Sequence, residues 1–146
     1  MMKLLISGIL LGILWSSMIE SKEINQSLFQ KIAIEGIDPV SYFLSGKPMF
    51  GKPEFQFEWK GAKWRFANAK NLELFKKNPE QYAPQYGGFC AYAVSQGYTA
   101  EISPEAWNIH KGKLYLNYDL KVKKLWESQM EQFIEQANKN WPEVSK

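Results

Sequence analysis

The chain is poor in the residues on which most site chemistry is built. Its 146 residues include one cysteine, Cys90, one histidine, His110, and one arginine, Arg65. A lone cysteine cannot close an internal disulfide, and one cysteine with one histidine falls two ligands short of a closed structural zinc site. The remaining cations are lysines spread along the chain, and the formal net charge is only +3. Nucleic-acid binding calls for a clustered basic face and arginine for bidentate contacts, so nucleic acid is set aside as a partner. Paired carboxylates among apolar neighbours and Ser-His-Asp spacing are also missing. Gly87-Gly88 lacks the Lys-Ser/Thr of a phosphate loop. No catalytic apparatus is evident.

Long apolar runs are scarce too. The stretch over residues 4–15 follows Met1-Met2-Lys3, and it is shorter than the about 20 residues that span a bilayer. It reads as the apolar part of a secretory signal, with Ser21 at the −1 position. Residues 1–21 are therefore expected to be a signal peptide, and the mature chain to be exported, periplasmic or secreted. Ile19 at −3 and Trp15 at the end of the run fit a cleavage site poorly, so an uncleaved anchor is the rival reading. A membrane partner follows only in that case. Cleavage removes Lys3 and Glu20 and leaves the net charge at +3.

What the chain has in quantity is aromatic rings, 15% of residues, with six Trp, seven Tyr and nine Phe. Rings of that size bury enough area for one domain with its own core. Residues 22–35 are expected to form a lead-in, loose over its polar first part, and residues 36–146 the domain. Asp38-Pro39 marks a helix start over 39–44. Phe55, Phe57 and Trp59 alternate with polar residues, Gly61 sits in a turn, and Trp64 and Phe66 resume the alternation: a hairpin with an aromatic face. Asn68 caps a helix bearing Leu72 and Phe75, which Asn78-Pro79 ends. Gly87-Gly88 breaks the chain before a short helix that Gly97 stops. Residues 107–110 and 114–116 flank Lys111-Gly112 as a second hairpin. Val122, Leu125, Trp126, Met130, Phe133, Ile134, Ala137 and Trp141 recur at helical spacing, predicting one C-terminal amphipathic helix packed on the sheet and ended near Pro142. The fold class is α+β.

Trp59-Lys60-Gly61-Ala62-Lys63-Trp64-Arg65-Phe66-Ala67-Asn68, followed by Phe75-Lys76-Lys77-Asn78-Pro79-Glu80-Gln81-Tyr82, resembles the YHS domain family. Tyr86-Gly87-Gly88-Phe89-Cys90-Ala91-Tyr92, Trp107 and residues 112–117 are similar to exported bacterial members, so the likeness extends from about Gly36 to Trp126. The resemblance implies a small binding module. It also implies, for some members, a metal held by cysteines after the second strand and on the first turn of the helix. Those positions look like Ala67 and Asn71, neither of which supplies a thiolate.

The candidate ligand-binding residues are Tyr86, Gly87, Gly88, Cys90 and Tyr92. The glycines would let a ligand approach the backbone, and the tyrosines would line its walls. Tyr82 and Tyr98 are read as packing. Cys90 stands where a helix dipole would favour a thiolate, and equally where a small apolar residue is buried. Cys90 with His110, and Met49 as a thioether, are the residues to consider for copper, or the first two for zinc. The leading expectation is an exported module holding a small ligand or a metal ion. The alternatives are a thiol-based redox or transfer activity centred on Cys90, and a structural or protein-interaction role using Trp141 and the C-terminal helix face.

Overall fold

The computed structural model describes residues 23–146. The expected signal peptide, and its rival the membrane anchor, lie outside the described residues. Among those described, no helix is long and apolar enough to cross a membrane.

Two antiparallel hairpins supply the strands, each turning on a Lys-Gly pair with positive φ at both residues, as a two-residue hairpin turn requires. In the first, β1 (Lys52–Trp59) pairs with β2 (Ala62–Phe66), placing Phe57 opposite Trp64 and Trp59 opposite Ala62. Trp64 and Phe66 are fully buried, whereas Phe55, Phe57 and Trp59 are half-buried at the edge of the same core. In the second, β3 (Trp107–His110) pairs with β4 (Lys113–Leu116), from Trp107 opposite Leu116 to His110 opposite Lys113. The hairpins form separate sheets, and helices fill the space around them, so the α+β architecture is as expected.

The helices begin where the capping chemistry says they should. Asp38 caps α1 (Pro39–Leu44), and Asn68 accepts from Asn71 N at 2.8 Å to cap α2 (Ala69–Lys77). Pro79 opens α3 (Pro79–Tyr82), and Cys90 sits at the start of α4 (Ala91–Ser95). Phe75 of α2 lies under the first hairpin, its ring centre 5.3 Å from Trp64 and 5.0 Å from Phe66.

The C-terminal region departs from the single helix predicted. It is two helices, α5 (Leu120–Ser128), capped by Asp119, and α6 (Met130–Val144), broken at Gln129 with φ −144° and ψ 46°. The break lets Trp126 rest on Tyr115 of β4 at 5.2 Å while Phe133 turns onto Tyr92 of α4 at 5.3 Å. The side chain of Asn140 also donates to the carbonyls of Val94 and Ser95 at 3.0 Å each. The main seat of the C-terminal helix is therefore α4, not a sheet. The helix ends near Pro142 as expected, with the proline inside its last turn and Val144 its final residue.

The polar start of the lead-in is not loose. Ile24 and Asn25 are buried; Asn25 N donates to Gly87 O at 2.9 Å, and its side chain donates to Gly88 O at 3.2 Å. Farther on, Lys63 N donates to Lys31 O at 2.7 Å and Ala33 N to Lys63 O at 3.0 Å. The segment thus extends the edge of β2, a use its polar composition concealed.

Candidate functional site

The polar centre of the first half is Asp38, a carboxylate with no solvent exposure. One oxygen, Oδ1, caps α1 by accepting from Val40 N at 2.8 Å and Ser41 N at 3.3 Å. The other, Oδ2, accepts from Ala67 N at 2.9 Å and from the Asn71 side-chain amide at 2.7 Å. Burial pushes the Asp38 pKa up, and the donors at Ala67, Asn71, Val40 and Ser41 pull it back. Four N–H donors fill the positions a carboxylate offers. Ala67 and Asn71, the two positions where the resemblance places thiolates in some members, are both spent on this oxygen. The donor set at the junction of β2 and α2 does not fit a metal ion. Nor do the described residues include a group of three or more His, Cys, Asp or Glu that could hold one.

Tyr86, Gly87 and Gly88 are consecutive left-handed residues, with φ 56°, 63° and 84°. The space beside the two glycines belongs to the chain itself. A Cβ on Gly87 would lie 1.9 Å from the carbonyl oxygen of Glu23, and one on Gly88 would lie 2.3 Å from Ile34 Cγ2. The approach expected for a ligand is made instead by the N-terminal segment. Tyr86 turns its hydroxyl to Asn138 Oδ1 at 2.9 Å, onto α6.

Cys90 and Tyr92 lead elsewhere. They line a cavity of about 250 Å³ with Ala93, Tyr98, Ala100, Tyr118 and Val122. Cys90 is 1% exposed, and its Sγ donates to Asn117 Oδ1 at 3.5 Å. That same oxygen accepts from Tyr92 N at 3.0 Å, which fixes the amide orientation. Burial raises the thiol pKa, outweighing the backbone N–H groups of Ala93, Tyr118 and Tyr92. The thiolate favoured by a helix start is thus opposed, and the group is a protonated thiol in an apolar wall. Tyr98 and Tyr118, each 53% exposed, stand at the cavity's margin.

His110 is not part of this arrangement. Its Nε2 lies 2.7 Å from Glu131 Oε1, and Lys111 Nζ is 2.9 Å from the same oxygen. Lys111 and then His110 hold the Glu131 carboxylate below the usual range. Cys90 touches Asn117, just past the base of the second hairpin, whereas His110 is at its tip, about 13 Å away along a strand. The structure does not bring Cys90 and His110 together.

The five candidate residues therefore divide: Gly88 packs against Ile34, Tyr86 and Gly87 seat the N-terminal segment and also border a second recess beside α6, and Cys90 and Tyr92 enter the cavity of about 250 Å³. Tyr98, set aside as packing, belongs to that cavity. Asn117 and Tyr118 were legible only as polar residues before a helix; their position after an apolar strand is the one signal that could have singled them out. In Asp38 the capping oxygen is readable from Asp-Pro, but the oxygen on Ala67 and Asn71 is not.

Among known proteins, the YHS domain family model matches residues 40–86, from α1 through Tyr86. This is narrower than the likeness seen in the sequence, and the Cys90 cavity lies beyond it. No curated protein and no solved structure matches the chain.

Proposed function

With a YHS domain over residues 40–86 as its premise, we propose that the chain is an exported binding module that holds a small, largely apolar ligand in the Cys90 cavity. The observation that carries this reading is the cavity itself, walled by Tyr92, Ala93 and Val122, floored by a protonated thiol, and flanked by two half-exposed tyrosines. Its volume, about 250 Å³, is below the roughly 300–1,000 Å³ of pockets for drug-sized molecules, which suits a ligand of single-ring size. A buried neutral thiol adds apolar, polarizable surface rather than a charge. A metal reading has less support, because the buried carboxylate of the first half is saturated by N–H donors and, among the described residues, no His, Met or second Cys lines the cavity with Cys90.

The test is an NMR titration of the chain with indole, p-cresol and hexanoate, following the amides of Cys90, Ala100 and Tyr118. Saturable shifts that disappear in Ala100→Leu, which fills the cavity from its wall, support the reading. A failure of all three probes to saturate by about 5 mM would remove it. Export is checked separately by expressing the full chain with its N-terminal segment and finding mature protein, starting at Lys22, outside the cytoplasm.

A further inference from the structure

A second recess lies between the tip of the first hairpin, the 85–88 turn and α6. It has a volume of about 260 Å³ and is lined by Trp59, Lys60, Glu80, Gln85 and Trp141 among others, with Glu23 and Asn138 at its sides. Its chemistry differs from that of the Cys90 cavity. Lys60 Nζ lies 3.1 Å from Glu23 Oε1, 3.8 Å from Glu80 Oε1, and 4.9 Å from the centre of the Trp59 ring. The Tyr86 hydroxyl donates to Asn138 Oδ1, so that amide's nitrogen is left to donate elsewhere. Trp141 is half-buried against Tyr86 and Phe89, with interplanar angles of 63° and 50°, so neither ring stacks flat on the indole.

Three ligand classes fit this lining badly. An apolar molecule would strip water from two carboxylates, an ammonium and two amides without replacing their hydrogen bonds. An anion meets Glu23 and Glu80. A cation meets Lys60, which is tethered in place between those carboxylates and over Trp59. A neutral ring whose hydroxyls both donate and accept, and whose C–H face can lie on an indole, fits this mixed lining, in which Ile24, Ala83, Pro84 and Pro142 stand beside the polar groups. We propose that this cleft binds a neutral pyranose or similar cyclic polyol, with its C–H face on Trp141 and its hydroxyls on Glu80, Gln85, Lys60 and Asn138. The inference is independent of the Cys90 cavity.

The experiment is a tryptophan-fluorescence and NMR titration of the full chain with glucose, galactose, N-acetylglucosamine and inositol, and with the matching disaccharides. At least one ring is expected to bind with a dissociation constant of about 0.1–10 mM. Glu80→Ala and Gln85→Ala, at side chains reached by solvent, are expected to weaken it at least about fivefold, and Trp141→Phe by a similar factor. Ala100→Leu should leave it unchanged. Tighter binding of a disaccharide assigns the site to the end of a saccharide chain, and equal affinities assign it to the free ring; both sustain the proposal. It is overturned if no ring or disaccharide saturates by about 50 mM, if binding survives all three cleft substitutions, or if binding is lost in Ala100→Leu.

Discussion

The two hairpins head two halves of the molecule that treat buried polarity differently. Around the first, Asp38 receives four donors, Asn71 spends its amide on it, and the Ser41 hydroxyl donates to Asp38 O while accepting from Met49 N. Around the second, Asn108 Oδ1, Asn117 Nδ2 and Trp126 Nε1 are buried with no partner among the described residues. An unpaired buried polar atom costs about 1–3 kcal/mol. The first half leaves one such atom, Gln26 Oε1 in the lead-in, against three around the second hairpin, where Asn117 also bonds the Cys90 thiol in the cavity wall. The family-model match ends at Tyr86, on the side where Asp38 is fully bonded. The matched domain and the Cys90 cavity sit side by side in one chain.

The largest test of this contrast is Asp38→Ala. It removes the acceptor for four donors and is expected to cost about 3–5 kcal/mol in urea denaturation; a loss below about 1 kcal/mol would show that the first half is not held from that point. Gly87→Ala comes next, at about 2–3 kcal/mol, because the residue has φ +63° and the added methyl meets the Glu23 carbonyl. Its signature is faster hydrogen exchange at the Asn25 amide, with the Cys90 cavity unaffected. Asn117→Ala is expected to cost only about 1–2 kcal/mol, since it removes an orphaned donor together with the acceptor of Tyr92 N and Cys90 Sγ. A cost equal to that of Asp38→Ala would erase the distinction between the halves.

The smallest effect is the pH response of Cys90. Burial raises its pKa above the ordinary 9.0, so the native state holds the proton more tightly than the unfolded chain does. Its contribution to stability is full below the unfolded value and is lost as pH rises through the native one. Alkylation by iodoacetamide should be slower than that of a free thiol at pH 8, and its midpoint should lie above that of the unfolded chain. A midpoint below the unfolded value would restore the thiolate reading.

Local chemistry was legible in the sequence wherever one short stretch specified the element. The alternation of Phe55, Phe57 and Trp59, then Trp64 and Phe66, fixes the first hairpin, and Asp38-Pro39 and Asn68 start their helices where expected. The break at Gln129 was not legible, because the apolar positions on either side keep helical step and neither glycine nor proline marks it. The second oxygen of Asp38 was hidden for another reason: its partners are 29 and 33 residues away, and no local pattern links an aspartate to an alanine N–H. The cavity draws on residues from Cys90 to Val122, so its walls exist only once α4, the 117–119 turn and α5 have met. That Glu23 and Ile34 occupy one side of the glycine pair, while Gly87 still borders a recess, is not legible in the sequence because those neighbours are more than 50 residues away.

The seat of Asn25 on Gly87 and Gly88 also imposes an order of events. The strap and its seat are separated by 63 residues, so a chain made from its amino end produces the strap long before there is anything for it to grip. The first hairpin and α1–α3 can condense from neighbouring residues in the meantime. The strap can close only once residue 88 has been made, and until then Ile24 lacks the contacts that hold it.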